Sequence, residues 1–162
     1  MKIIDLATLD RLSAEAQNSS RKRMNLNLHA SYSEPCQRLL NAVEPDSYIR
    51  PHRHLTPLKP ETFVVLRGRF AAAIFDDAGE VEQAVLLDAD AGPWGVDIPA
   101  GAWHVIFALE AGSVFFETKP GPYEPISDKD WAAWAPAEGS VGAEEYMRGV
   151  IENIRGILNF EF

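Results

Sequence analysis

The chain has 162 residues, of which 46% are hydrophobic, and its formal charge of −9 makes a phosphate-backbone partner such as nucleic acid unfavourable. Cys36 is the only cysteine, which excludes an intramolecular disulfide and a thiolate zinc cluster and suits a reducing compartment. The length is near that of one domain, so we expect a single domain.

The first segment, MKIIDLATLDRL, is interrupted by Asp5 and Asp10 and does not look like a signal peptide. The apolar runs are too short to cross a bilayer, so we expect a cytoplasmic protein without a membrane partner. Leu6, Leu9 and Leu12 recur at helical spacing, which predicts a helix over 6–16.

After this predicted helix, apolar residues recur at every second position. In RMNLNLH (23–29) apolar and polar residues alternate strictly, as in a half-buried strand. Short strands joined by Gly, Pro and Asp turns, without helices between them, predict an all-β jelly-roll barrel. The further predicted strands are 37–43, 47–51, 62–66, 69–75, 81–87, 94–98, 103–109 and 113–119.

The barrel is expected to occupy 23–119, after an N-terminal helical arm over 1–22 and before a C-terminal arm and helix over 120–162. Trp131 and Trp134 are the expected anchors of the Gly- and Pro-rich arm. An apolar stripe predicts a helix over 143–158 with an apolar tail over 158–162. That helix either covers a barrel face or docks on a partner subunit, and a homodimer is expected.

Two segments carry the chemistry. His52 and His54 are two residues apart and face the same way on an extended chain. A turn through the intervening prolines would bring Glu61 beside them, and PAGAWH places His104 at the start of another strand. Three imidazoles and one carboxylate suit one divalent transition metal (Zn, Fe, Ni or Mn) with open positions for water or substrate.

These residues resemble the two motifs of the cupin superfamily. His52-Arg53-His54, Glu61 and Gly68 fit the first motif, with six residues between the last two, and Pro99 to His104 fit the second. The resemblance implies the cupin double-stranded β-helix and this metal site. The gap between His54 and Glu61 is longer than usual in the family, so a three-histidine site is the alternative.

Over about 23–136 the chain is similar to the WbuC family of cupin-fold metalloproteins, through RMNLNLH, QRLLNAVEPDSYIRPHRH, FETKPGPYEPISDKD and WAPAE. This resemblance implies a role in bacterial surface polysaccharide (O-antigen or lipopolysaccharide) biosynthesis, with a sugar or sugar nucleotide as the small-molecule ligand.

Polar side chains near these motifs are candidate ligand-binding residues. One strand face carries a polar row, which either is solvated or lines the barrel mouth, where His29 is a candidate base. Glu117, among aromatic residues in a strand, is the other candidate for proton transfer. The ligand-binding candidates are Arg23, Asn25, Asn27, Tyr48, Arg50 and Tyr123.

Three functions stay open at this point. The first is a metal-dependent enzyme, an isomerase or epimerase or, with iron, an oxygenase, in which Glu117 or His29 moves a proton. The second is a non-catalytic carbohydrate-binding or regulatory protein. The third is a purely structural metal, which a saturated and buried ion would indicate.

Overall fold

The computed structural model describes residues 1–124 and 129–159. Within them the chain forms ten strands and two helices. These are α1 (Leu6–Asn18), β1 (Arg23–Asn27), β2 (Cys36–Val43), β3 (His52–Arg53), β4 (Glu61–Arg67), β5 (Arg69–Phe75), β6 (Val81–Asp88), β7 (Gly95–Ile98), β8 (Trp103–Ala108), β9 (Ser113–Pro120), β10 (Asp130–Trp131) and α2 (Ala143–Leu158).

The strands form two five-stranded antiparallel sheets. The first sheet has the order β1-β2-β9-β4-β7, and the second has the order β10-β3-β8-β5-β6. Buried side chains from both sheets, including Phe63, Phe70, Ile106 and Phe115, make one apolar cluster. The predicted all-β jelly-roll architecture, with one helix before the strands and one after them, is confirmed.

Helix α1 covers the outer face of the first sheet. The Asp5 carboxylate caps it by accepting the Thr8 N–H at 2.9 Å. Leu12 and Ala16 are buried against Leu40 and Val114. Because strand side chains alternate, the neighbours of Leu40 in β2 are directed to the barrel interior.

Helix α2 covers the outer face of the second sheet. Its buried residues Met147, Val150 and Ile154 pack with Ala73 and Phe107. Burial of a large aliphatic side chain stabilises a fold by about 1.5–3 kcal/mol, so this stripe anchors the C-terminal segment. Of the two alternatives for this helix, the structure shows the intramolecular one.

The segment 47–51 is not the predicted strand. Tyr48 donates a hydrogen bond to the Pro136 carbonyl at 2.8 Å, and Arg50 donates to the Ala132 carbonyl at 2.6 Å. The segment therefore packs against the C-terminal arm, and regular pairing begins only at β3. Strand β10, which pairs with β3, was not predicted.

Parts of two predictions lie outside the described residues, namely the arm at 125–128 and the tail at 160–162. Among the helices described, none has both the length and the apolar character that a membrane span needs.

Candidate metal centre

The barrel brings four potential metal ligands together. His52 in β3 lies directly opposite His104 in β8, and Glu61 begins β4. His54 follows β3 and is also buried. The four side chains are at most 5% exposed, and one potential ligand atom from each lies within 4.8 Å of the others.

Backbone carbonyls orient two of the imidazoles. His52 Nδ1 lies 3.0 Å from the Arg50 carbonyl oxygen, and His104 Nδ1 lies 2.9 Å from the Ala102 carbonyl oxygen. Since a carbonyl only accepts, each Nδ1 carries the proton and donates it, and each Nε2 keeps a lone pair. Metal-binding histidines are held in this way in many proteins.

Glu61 is the centre of a charged network. Its Oε1 lies 2.7 Å from Lys119 Nζ and 3.1 Å from His54 Nε2, and its Oε2 lies 3.0 Å from His104 Nε2. Burial raises the pKa of Glu61, but the Lys119 charge and the close approach of the His104 and His54 rings outweigh it and hold the pKa well below its ordinary value.

The protonation states of the clustered histidine and glutamate side chains are those that metal binding requires. Burial, followed by the positive charge of Lys129, lowers the pKa of His52 well below its ordinary value, so this imidazole is neutral. Metal binding requires neutral histidines and an ionised carboxylate. Ligand atoms bound at about 2.1 Å from one ion are at most about 4.2 Å apart, so a small contraction would complete the site. The donor set therefore fits a divalent transition metal.

A cavity of about 460 Å³ opens beside this cluster. The polar row of the first strand lines it, as do both predicted proton-transfer residues and Tyr123. Among the predicted site residues, those lining the cavity are Arg23, Asn25, Asn27, His29, His52, Glu61, His104, Glu117 and Tyr123.

Glu117 is held on both carboxylate oxygens. Asn41 Nδ2 donates to Oε2 at 2.9 Å, and Lys119 Nζ lies 3.2 Å from Oε1. Lys119 therefore joins Glu117 to Glu61. Sequence reasoning missed Lys119, although it lies two residues beyond Glu117 in β9 and so shares its face.

Two predicted ligand-binding residues are not brought to this cavity. Tyr48 is packed beneath α2, and the Arg50 guanidinium is occupied by the Ala132 carbonyl. The prediction assumed a regular strand over 47–51, in which both would share the face of His52. Arg53 stacks over the Trp103 ring at 4.1 Å and pairs with Asp77, which is a packing role.

Comparisons with known proteins give a family and a fold. A family model described as "Domain of unknown function (DUF6016)" matches residues 4–87. No curated protein matches the chain.

Several solved structures are similar. CapF bound to the inhibitor 3-isopropenyl-tropolone has a TM-score of 0.57 at 23% identity, over 70% of this chain and 32% of that chain. L-ribose isomerase from Cellulomonas parahominis, solved with L-psicose, has a TM-score of 0.52 at 16% identity, over 68% of this chain and 69% of that chain. TT1209 from Thermus thermophilus has a TM-score of 0.51 at 22% identity, over 75% of this chain and 98% of that chain.

This chain thus spans about a third of the CapF chain. CapF from Staphylococcus aureus is described as a capsular polysaccharide assembling protein. At these identities the likeness establishes the cupin fold.

Proposed function

The chain belongs to the DUF6016 family, a domain of unknown function, and we propose that its barrel is a metal centre that binds a sugar or sugar nucleotide. One observation carries this proposal: three buried histidines and one buried glutamate converge beside a polar cavity of about 460 Å³. Cavities of roughly 300–1,000 Å³ are typical of small-molecule sites.

The sugar-like ligand is supported by the lining and by resemblance. The amides of Asn25, Asn27 and Asn41 can each donate and accept, which suits hydroxyl groups. The similarity to the WbuC family over 23–136 favours a role in bacterial surface polysaccharide biosynthesis. The names of CapF and of L-ribose isomerase with L-psicose point in the same direction.

The residues around the cluster support proton-transfer chemistry. When bound, a divalent metal would supply Lewis-acid polarisation of a ligand oxygen. Glu117 is fixed at the cavity wall by Asn41 and Lys119, so its carboxylate is oriented before a ligand arrives. Isomerisation or epimerisation, with Glu117 as the base, is the reaction class that we propose, and His29 is the second candidate for proton transfer. An oxygenase is the reaction class that iron would favour.

A second candidate is a non-catalytic carbohydrate-binding protein. It is favoured by the engagement of both Glu117 oxygens, which leaves this carboxylate less available to a substrate proton. The homodimer and the cytoplasmic location stay predictions.

Elemental analysis tests the metal centre. We expect about one transition-metal ion per chain in the wild type and its loss in His52→Ala, Glu61→Gln and His104→Ala. His29→Ala is the matched control, because it removes the histidine that lies outside the cluster. A folded wild type that takes up no zinc, iron, nickel or manganese would contradict the proposal.

Glu117→Gln separates the enzyme from the binding protein. The variant keeps the size and one hydrogen-bonding oxygen of the side chain but cannot accept a substrate proton. Loss of turnover with unchanged metal content would establish catalysis. Unchanged sugar affinity, with no turnover in the wild type either, would establish binding alone.

A further inference from the structure

The cavity is positively charged although the chain is acidic. Four basic and three acidic side chains line it, an excess of one positive charge, while the whole chain has a formal charge of −9. A divalent ion on the cluster would increase that excess. A cavity with this charge favours anions by long-range attraction. The seven side chains are Arg21, Arg23, Lys119, Lys129, Glu61, Glu117 and Glu138.

Each of these carboxylates already has a cationic partner. Glu61 and Glu117 share Lys119, at 2.7 and 3.2 Å. Glu138 lies 2.6 Å from Arg23 and 3.3 Å from Arg21. Among the described residues, Lys129 is the lining cation that no carboxylate pairs with, and its Nζ lies 5.4 Å from the centre of the Trp131 ring.

Lys129 lies beside the metal ligands. It directly precedes β10, whose Trp131 pairs in register with His52, and the two rings are 5.5 Å apart. Lys129 is partly buried, and burial together with the charge of Lys119 lowers the pKa of its ammonium. A desolvated charge without a partner is unfavourable, and an anionic ligand would relieve that cost.

A second spare donor faces the same cavity. His29 is 4% exposed, and its Nδ1 lies 3.0 Å from the Arg38 backbone nitrogen. A backbone N–H can only donate, so Nδ1 of the neutral ring accepts the Arg38 N–H and the proton lies on Nε2. That Nε2 is buried and has no hydrogen-bond partner among the residues that the structure describes. Lys129 and His29 can therefore each donate a hydrogen bond to a ligand in the cavity.

We propose that the ligand of this cavity is an acid, carrying a carboxylate or phosphate group that Lys129 binds beside the metal cluster. This inference rests on the proposed function and narrows it from a sugar-like ligand to an acidic one. His29 donates to another oxygen of the same ligand.

Titration calorimetry of metal-loaded protein with galactose, galacturonate and galactose 1-phosphate tests the inference. These probes share one sugar and differ in charge, so the last two distinguish a carboxylate from a phosphate. We expect at least one anion to bind about tenfold or more tightly than galactose. Lys129→Gln should abolish that preference, and Lys129→Arg should keep it. Arg11→Gln, on the exposed face of α1, changes the net charge equally and should have no effect.

Three results would overturn the inference: equal binding of all three probes, a preference that survives in Lys129→Gln, or no binding of either anion at about 10 mM. Metal content measured on the same samples separates this failure from that of the proposed function. A wild type that takes up no metal would contradict the proposed metal centre. A metal-loaded wild type that binds all three probes with equal affinity would contradict only the inference of an acidic ligand.

Discussion

At the scale of single residues, two neighbouring tyrosines differ in one hydrogen bond. The rings of Tyr48 and Tyr146 meet edge to face, with centroids 6.2 Å apart. The Tyr48 hydroxyl donates to the Pro136 carbonyl at 2.8 Å, whereas the buried Tyr146 hydroxyl has no partner within the described part of the chain. Leaving a buried hydroxyl unpaired offsets the benefit of burying its ring.

Replacing each tyrosine by phenylalanine measures how much its hydroxyl contributes to stability. We expect Tyr48→Phe to lower the free energy of unfolding by about 1 kcal/mol, because it removes a satisfied hydrogen bond and leaves a carbonyl unpaired. Tyr146→Phe should be neutral or stabilising by up to about 1 kcal/mol. Urea unfolding of both variants is the measurement. Equal destabilisation by the two changes would show that the Tyr146 hydroxyl has a partner in solution.

Single-residue roles were only partly predictable from the sequence. The alternation that placed Arg23, Asn25, Asn27 and His29 on one face did bring them to one cavity. Lys119 was missed because its role depends on the meeting of β9 with β4. Such cross-strand proximity depends on which strands pair, and β4 and β9 are distant in the sequence.

At the scale of elements, the turn between β4 and β5 carries the chain from the first sheet to the second. Gly68 has φ +73°, and a Cβ there would overlap the Ser113 hydroxyl and lie 3.1 Å from the Ser113 Cα. Gly139 has the same φ of +73°, but a Cβ added there would have nothing within 4 Å of it. Substitution of Gly139 therefore tests the cost of the left-handed backbone alone, whereas substitution of Gly68 adds the cost of a steric clash with Ser113.

Alanine at these two positions should have unequal effects. The left-handed backbone costs an alanine about 1–2 kcal/mol, and we expect Gly139→Ala to lose no more than that. Gly68→Ala should lose about 1–3 kcal/mol more, because Ser113 must move. Thermal or urea unfolding measures both. Equal losses in the free energy of unfolding would show that the turn adjusts its backbone to accept the Cβ without moving Ser113.

Elements with a long, regular pattern were predicted well. The apolar run of β5 and the helical stripe of α2 have the bounds predicted for them, 69–75 and 143–158. The segment 47–51 has the composition of a strand, but its polar groups bond to the C-terminal arm instead of a neighbouring strand. Strand β10 has two residues, too few for any periodicity.

At the scale of the whole molecule, the metal cluster joins the two sheets. Glu61 belongs to the first sheet and His52 and His104 to the second, so an ion bound to all three would cross-link them. We expect a metal at a hundredfold excess over its Kd to stabilise the folded state by about 2.7 kcal/mol. For a chain of this size the Tm should rise by about 5–10 °C over chelator-treated protein.

The control for that stabilisation is Glu61→Gln. This variant should show little or no rise in Tm with the same metal, because a neutral amide is a poor ligand for a divalent ion. A rise equal to that of the wild type would place the stabilising ion elsewhere on the molecule.

The residues of the C-terminal arm that close the cavity wall are synthesised after the potential metal ligands. Arg23 and the Glu138 that binds it are 115 residues apart, and translation adds about 5–20 residues per second. All four potential metal ligands are synthesised before Lys129, Trp131 and Glu138. A nascent chain thus contains all four potential ligands before the residues that close the cavity wall exist, and a metal bound in that interval would be selected by the ions available in the surrounding fluid.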